Sequence, residues 1–197
     1  LQFIHGPTLE LNPQLRKVES VEFIDPRHVR VTLTEDIPAG IGEGDAIENA
    51  DWHPSVDFSN NTVRHNRARG ALFTTPKPVR VIDNHFDHTH GSAILLAGDA
   101  QGWYESGACQ DVLIKGNVFR HGLTGLYQFT DALIAICPEV RKPGEQKQRY
   151  HRNVRIKGNQ FITHRLPLLS GRQNGDLLLG GIQRGGTLPQ QLSSFFK

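Results

Sequence analysis

The segment 98–107 (Gly-Asp-Ala-Gln-Gly-Trp-Tyr-Glu-Ser-Gly) contains the side chains best suited to chemistry. Two carboxylates, Asp99 and Glu105, lie close together in it with the aromatic residues Trp103 and Tyr104. Carbohydrate sites combine these types, because an aromatic ring covers the C–H face of a sugar and carboxylates bind its hydroxyl groups. Glycoside hydrolysis also requires a carboxylic acid and a carboxylate across the scissile bond. The segment therefore favours a carbohydrate site, with two structural alternatives: Asp99 shapes a turn, and Trp103 covers the core.

A second polar cluster, Asn66-Arg-Ala-Arg-Gly70, precedes that segment in the chain. An arginine on a β-sheet face can bind a carboxylate or a sugar hydroxyl through its planar guanidinium group. Asn66 and Arg69 are therefore candidate substrate-binding residues. The alternative is that the arginines pair with acids on neighbouring strands.

A third cluster, Asn84-His-Phe-Asp-His-Thr-His90, contains three histidines. Alternate residues of a strand share a face, so His88 and His90 have a spacing that metal ligands can use. No cysteine or glutamate lies at a zinc-like spacing from them, and we expect neither a metal nor a cofactor. His90 is kept as a candidate substrate-binding residue.

A repeated pattern indicates which elements position these clusters. Two apolar residues at a spacing of two are followed by an asparagine and then by another apolar residue. The four copies are Val56, Phe58, Asn61 and Val63; Val79, Val81, Asn84 and Phe86; Val112, Ile114, Asn117 and Phe119; and Val154, Ile156, Asn159 and Phe161.

The constant offsets predict a right-handed parallel β-helix over residues 51–170. The alternating apolar residues form a short strand with one buried face, and the asparagine turns the corner, where left-handed backbone is tolerated. A single rung cannot bury its apolar face alone, so the rungs must stack and their asparagines can form a ladder. The alternative, an antiparallel sandwich with chance asparagine turns, does not explain four identical offsets.

The segments outside the repeat are predicted to have other roles. Residues 1–50 are expected to form a small β-rich lobe, in which residues 21–25 and 29–34 alternate apolar with polar side chains and predict a hairpin. The polar run 138–152 is expected to be a solvated loop. Residues 171–197 are expected to form a cap or a tail.

Composition excludes several classes of protein. With 22 basic and 20 acidic residues the net charge is +2, which does not indicate nucleic-acid or anionic-membrane binding. No apolar run reaches the ~20 residues of a membrane span, and no signal peptide is visible. Cys109 and Cys137 are too few for a disulfide framework and are expected to be free, buried thiols. Because the chain lacks methionine, we expect it to be a fragment or a processed product.

Three segments together resemble glycoside hydrolase family 110: Gly44–Asn49, Asn66–Gly70 and Gly98–Gly107. The resemblance covers about residues 20–165 and implies a parallel β-helix with a small β-rich insertion. Members of the family are bacterial exo-α-1,3-galactosidases that invert the anomeric configuration and need no metal. The resemblance therefore implies an α-galactosyl oligosaccharide or glycoconjugate as substrate and a secreted or periplasmic location. A homodimer is compatible with the sequence.

The resemblance also implies roles for individual residues. The galactose pocket is expected to be lined by Arg69, Asp99, Trp103 and Glu105. Glu105 and Asp99 are the candidate catalytic residues. Glu105 is the first choice, because Trp103 and Tyr104 would remove it from water and favour its protonated form, and Asp99 would then fix sugar hydroxyls. The family also has an adjacent acidic pair on an earlier rung, and this chain has no Asp-Asp. We expect that pair to precede Leu1, so that this chain alone holds part of the catalytic site.

Two other functions are compatible with the same clusters. A polysaccharide lyase would use Arg69 or the basic run as the base that abstracts a proton next to a uronate carboxylate. A non-catalytic glycan-binding or structural β-helix would bind glycans without turnover. The fold alone does not decide among these functions.

Overall fold

A computed structural model describes residues 1–125, 130 and 132–162 of the chain, and the backbone of three later strands, Leu169–Gly171, Leu177–Gly180 and Gln183–Arg184. β-Strands form almost all of the regular structure in these residues. Two three-residue 3₁₀ helices, Ala50–Trp52 and Pro143–Glu145, complete it.

The N-terminal part of the chain is antiparallel. Its strands are β1 (Gln2–His5), β2 (Glu10–Leu11), β3 (Val18–Asp25), β4 (His28–Leu33) and β5 (Ala46–Glu48). β1 lies between β2 and β5 in a three-stranded sheet, and β3 pairs with β4 alone, which confirms the predicted hairpin. Asp25 tightens the hairpin turn, because its Oδ1 accepts hydrogen bonds from the N–H groups of Arg27 (2.8 Å) and His28 (3.0 Å).

The following strands recur in threes along the chain. The first turn contains β6 (Val56–Ser59), β7 (Thr62–Arg64) and β8 (Ala71–Phe73). The second contains β9 (Val79–Ile82), β10 (His85–Asp87) and β11 (Ile94–Gly98). The third contains β12 (Val112–Lys115), β13 (Val118–Arg120) and β14 (Ile134–Pro138). The fourth contains β15 (Val154–Lys157), β16 (Gln160–Ile162) and β17 (Leu169–Gly171), and β18 (Leu177–Gly180) and β19 (Gln183–Arg184) follow.

Equivalent strands of successive turns pair in parallel and build three sheets. The first sheet contains β6, β9, β12, β15 and β18, the second contains β7, β10, β13, β16 and β19, and the third contains β8, β11, β14 and β17. The strands β18 and β19 lie beyond residue 170, where the repeat was predicted to end. This arrangement is compatible with the predicted parallel β-helix.

The repeat pattern sets the register of the first two sheets, as predicted. Val79 aligns with Val56 on one side and with Val112 on the other, and the pairing continues to Val154. The apolar side chains at these positions point into one buried core that the three sheets share. In the second sheet Phe119 stacks between Phe86 and Phe161, with ring centroids 5.2 and 5.0 Å away.

The asparagines form the predicted ladder inside this core. Oδ1 of Asn117 accepts hydrogen bonds from the backbone N–H and the Nδ2 group of Asn84, both at 2.9 Å. In the same way, Oδ1 of Asn159 accepts the backbone N–H and Nδ2 groups of Asn117. Oδ1 of Asn84 accepts those of Asn61. The ladder therefore satisfies buried polar groups at the corner between the first two sheets.

The sharp backbone bend at that corner differs from the expectation in one respect. The residue in the left-handed region is the one before each asparagine of the ladder, where Asn60, Asp83, Gly116 and Gly158 have φ between 54° and 67°. The ladder asparagine is thereby free to adopt extended backbone and to direct its amide inward. A Cβ at Gly116 would overlap the Asp83 carboxylate of the turn before, which favours glycine there.

The polar run 138–152 crosses back to the N-terminal sheet. The Lys142 N–H donates to Pro7 O at 2.9 Å, and Gln146 Nε2 donates to Thr8 O at 2.9 Å. Most of the run is exposed, as predicted, but its last part turns inward and buries Tyr150 and His151. The run therefore joins the parallel sheets to the N-terminal lobe.

Candidate functional site

The candidate loop 99–107 leaves the end of β11 and folds around the Asp99 carboxylate. Oδ1 of Asp99 accepts the Gln101 N–H at 2.8 Å. Oδ2 accepts the N–H groups of Gly102 (2.8 Å), Trp103 and Tyr104 (3.1 Å). Only 5% of Asp99 is exposed, so both oxygens are occupied within the loop.

These contacts define the charge state of Asp99. Burial opposes ionisation, but the four N–H donors outweigh it and hold the pKa of Asp99 below its usual range. Asp99 is therefore a carboxylate at neutral pH, and in this geometry it holds the loop together. The sequence predicted instead that Asp99 binds sugar hydroxyls, and the one N–H bond at Oδ1 leaves that oxygen a second acceptor position.

The two aromatic residues of the loop project into solvent. Trp103 is 79% exposed and Tyr104 is 66% exposed. Trp103 therefore does not cover the core. Tyr104 has a φ of +56°, which is uncommon for a bulky residue and follows from the tight turn around Asp99.

Glu105 lies beside Arg69 of the preceding turn. Oε1 of Glu105 is 3.9 Å from Nη2 of Arg69, and the two side chains are 28% and 36% exposed. A pair that is only partly covered can still reach a ligand, and a guanidinium group can bind a sugar hydroxyl through its planar donors. The structure therefore brings together the two charged residues that the sequence singled out in separate segments.

Asn66 and His90 lie next to this pair along the stack. The Nδ2 group of Asn66 donates to Arg69 O at 3.3 Å, which fixes the turn that presents Arg69. The His90 N–H donates to Asn66 O at 2.9 Å, so His90 lies beside Asn66 in the next turn. Its side chain is exposed. These contacts connect a group that we call the Arg69 face, which consists of Arg69, Glu105, Asn66 and His90.

Polar residues that are buried or nearly buried lie next to the start of the loop, and the sequence did not single them out. Tyr150 packs against Gly98, where a Cβ would overlap the tyrosine ring, and burial raises the pKa of Tyr150. Glu48 is nearly buried, with Oε1 at 3.5 Å from Nε2 of His53 and Oε2 without a hydrogen-bond partner among the described residues. The only signal for Glu48 was its place in the segment Gly44–Asn49.

His151 provides a prediction about pH. Burial lowers its pKa from the ordinary 6.5 to about 4, and its Nδ1 accepts the Cys109 N–H at 3.0 Å. Below pH 6.5 the unfolded chain binds a proton at this residue and the native protein does not, so stability falls as the pH drops towards 4. We expect the free energy of unfolding to fall by about 2 kcal/mol from this residue between about pH 7 and pH 5.

The matched variant is His151→Asn, because the asparagine Oδ1 can accept the same N–H bond and does not titrate. Urea unfolding at both pH values measures the effect. The variant should lose about 2 kcal/mol less than the wild type over this interval. An identical pH dependence in both proteins would contradict the assignment to His151.

The cysteines and the possible metal ligands are the other candidates for chemistry. Cys109 and Cys137 are free thiols, and burial raises the pKa of Cys109 to about 11, so Cys109 is not a thiolate nucleophile at neutral pH. Within residues 1–125, 130 and 132–162, no three His, Cys, Asp or Glu side chains are grouped to hold a metal ion. No helix in this part of the chain is long and apolar enough to cross a membrane.

Comparison with known proteins shows strong similarity to one group. The chain is 54% identical over 169 residues to alpha-1,3-galactosidase B of Akkermansia muciniphila, which covers 86% of the chain and 21% of that protein. It is 42% identical over 177 residues to alpha-1,3-galactosidase B of Parabacteroides distasonis (86% and 29%). It is 40% identical over 190 residues to alpha-1,3-galactosidase B of Bacteroides fragilis (90% and 32%).

No protein-family model matches the chain. The chain spans between a fifth and a third of the length of these curated relatives. Over most of its own length, the chain is therefore homologous to one segment of proteins named alpha-1,3-galactosidase.

Proposed function

We propose that the protein is a carbohydrate-active member of glycoside hydrolase family 110 that removes terminal α-1,3-linked galactose. The observation that supports this most directly is the partly exposed pair of Arg69 with Glu105, whose loop also exposes Trp103. An ion pair and an open aromatic ring supply the contacts that a sugar needs. The names of the relatives point to the same substrate class.

The proposed scaffold is a right-handed parallel β-helix with a small inserted β-lobe. Three parallel sheets that each take one strand from every turn support this fold, and parallel crossovers are almost always right-handed. Successive turns of such a scaffold align along one flank. The loops after β7 and β11 would therefore present the Arg69 face as one surface.

The proposed mechanism is hydrolysis with inversion. Glu105 acts as the general base that activates water, since its side chain is partly exposed beside Arg69 and can reach a water molecule. A second carboxyl group, about 6.5–9.5 Å away, protonates the leaving oxygen. That group need not belong to this chain, because the relatives are three to five times longer than the segment they share with it.

The remaining candidates have binding roles in this proposal. Arg69 and Asn66 bind galactose hydroxyls, Trp103 stacks on the sugar, and His90 lies at the edge of the pocket. Asp99 positions the loop through its four backbone contacts. The natural substrates are α-galactosyl oligosaccharides or glycoconjugates, and the location is secreted or periplasmic.

The test is galactose release from an α-1,3-galactosyl disaccharide by the full-length protein. Proton NMR during the first turnovers should show β-galactose, because inversion of an α-linkage gives the β-anomer. Early α-galactose would contradict inversion. An unsaturated product that absorbs in the ultraviolet would indicate a polysaccharide lyase, and binding without any product would indicate a glycan-binding protein.

A further inference from the structure

A cleft of about 730 Å³ lies on the Tyr104 side of the loop, between the parallel sheets and the N-terminal lobe. We propose that this cleft is a second carbohydrate-binding site, separate from the Arg69 face, that takes a neutral sugar. The volume is within the range of small-molecule sites. Neither Arg69 nor Glu105 lines the cleft.

Glycine residues form part of one wall of the cleft, so the peptide backbone is uncovered there. Gly40, Gly42 and Gly44 line it, and added Cβ atoms at these three positions would meet no other atom within 4 Å. Asp45 holds the wall in place, since its two oxygens accept the N–H groups of Gly6 and Gly42, each at 3.0 Å. A ligand can therefore approach peptide N–H and C=O groups directly.

The opposite wall carries the groups that recognise a sugar. Tyr104 offers an exposed ring, held in place because its N–H donates to Asp99. Gln101 lines the same wall, and its Oε1 is enclosed without a hydrogen-bond partner among the described residues. Turning this amide toward the cleft therefore breaks no hydrogen bond of the oxygen, which can then accept the hydroxyl group of a sugar that stacks on Tyr104.

The charges of the cleft favour a neutral ligand. The cleft is lined by two acidic residues, Glu43 and Asp45, and by two basic residues, Arg141 and Lys142. The two signs are equal in number, so the charges of the lining balance each other. Such a site binds hydroxyl groups from both sides and gives no net attraction for an acidic sugar.

The cleft exists because distant parts of the chain meet. The Lys142 N–H donates to Pro7 O, and Glu10 Oε1 accepts the N–H of Gln148 at 2.8 Å. These contacts fix Arg141 opposite the glycine wall. The inference uses the carbohydrate class of the proposed function but does not depend on hydrolysis, so each can fail without the other.

The experiment is a titration of the ¹⁵N-labelled chain with lactose, a neutral β-galactoside that lacks the α-1,3 linkage. We expect the amide signals of Gly40, Gly42, Gly44 and Gln101 to shift with a common dissociation constant. Shifts confined to the Arg69 face, or no shifts at all, would overturn the proposal. Galacturonic acid serves as the acidic probe, and tighter binding of that probe at the same amides would overturn the assignment to a neutral sugar.

Variants locate the site independently. Tyr104→Ala and Arg141→Ala should each weaken lactose binding by about tenfold, and Gly42→Leu should block the cleft by filling it. The matched controls are Trp52→Ala and Arg27→Ala, which remove an equally exposed aromatic ring and an exposed arginine outside the cleft. The amide spectrum of each variant verifies its fold. Wild-type affinity in folded Gly42→Leu and Tyr104→Ala would overturn the proposal.

Discussion

Replacing Glu105 by Gln in the full-length protein is expected to lower kcat for galactose release by about 10²–10⁴, the usual contribution of a positioned acid–base group. Glutamine keeps the shape of the side chain, and its amide oxygen can still face Arg69. It cannot accept a proton from water. The loss should therefore appear in kcat, while KM changes little because the binding groups of the Arg69 face remain.

The matched control for this variant is Asp111→Asn. Asp111 is also a partly exposed carboxylate beside arginine, since it pairs with Arg80 at 2.5 Å and with Arg155 at 2.7 Å. These arginines pull its pKa below the usual range, Arg80 most strongly, so the substitution tests the loss of an arginine-paired charge away from the candidate loop. We expect its kcat to be close to that of the wild type.

The two variants together separate catalysis from electrostatic stabilisation of the stack. A near-wild-type kcat in Glu105→Gln would remove Glu105 from the mechanism. An equal loss of kcat in both variants would indicate that these two carboxylates affect activity by stabilising the fold. If the Glu105→Gln protein still shows lactose-dependent shifts at Gly42, the cleft is independent of the catalytic carboxylate.

The sequence predicted the parallel stack because its cause is local and repeated. Each rung supplies the same alternating apolar residues and the same asparagine, and the pairing of Val79 with Val56 and Val112 follows directly from those offsets. The hairpin of β3 and β4 was predictable for a similar reason. Its alternation and its turn lie within one short segment.

The sequence could not predict features that depend on distant contacts or on one turn's geometry. Composition showed that Asp99 and Glu105 are close in the chain, but not that Asp99 points back into its own loop while Glu105 faces Arg69. Tyr150 and His151 end a polar run that looks fully solvated, and their burial depends on packing against the end of β11. The cleft depends on contacts between residues more than 130 positions apart.

The asparagine ladder should contribute most to stability where it is fully enclosed, at Asn117. Oδ1 of Asn117 accepts the Asn84 N–H, and its Nδ2 group donates to Val81 O at 2.8 Å. Asn117→Leu would leave the Asn84 N–H buried without its acceptor, at about 1–3 kcal/mol, and would remove the side-chain hydrogen bond to Val81 O. We expect the free energy of unfolding, measured with urea, to fall by about 3 kcal/mol, a large part of the total for most domains.

The other end of the same ladder supplies the control. Asn61 is exposed, and the Asn84 Oδ1 to which its Nδ2 donates would keep the Asn61 backbone N–H at 2.9 Å after Asn61→Leu. No buried group loses its last partner there, so the same substitution should cost less than about 1 kcal/mol. Equal losses at the two positions would mean that asparagine matters here through the corner conformation rather than through hydrogen bonds between turns. A large loss at Asn117 alone would show that the ladder stabilises the stack by satisfying polar groups that no water can reach.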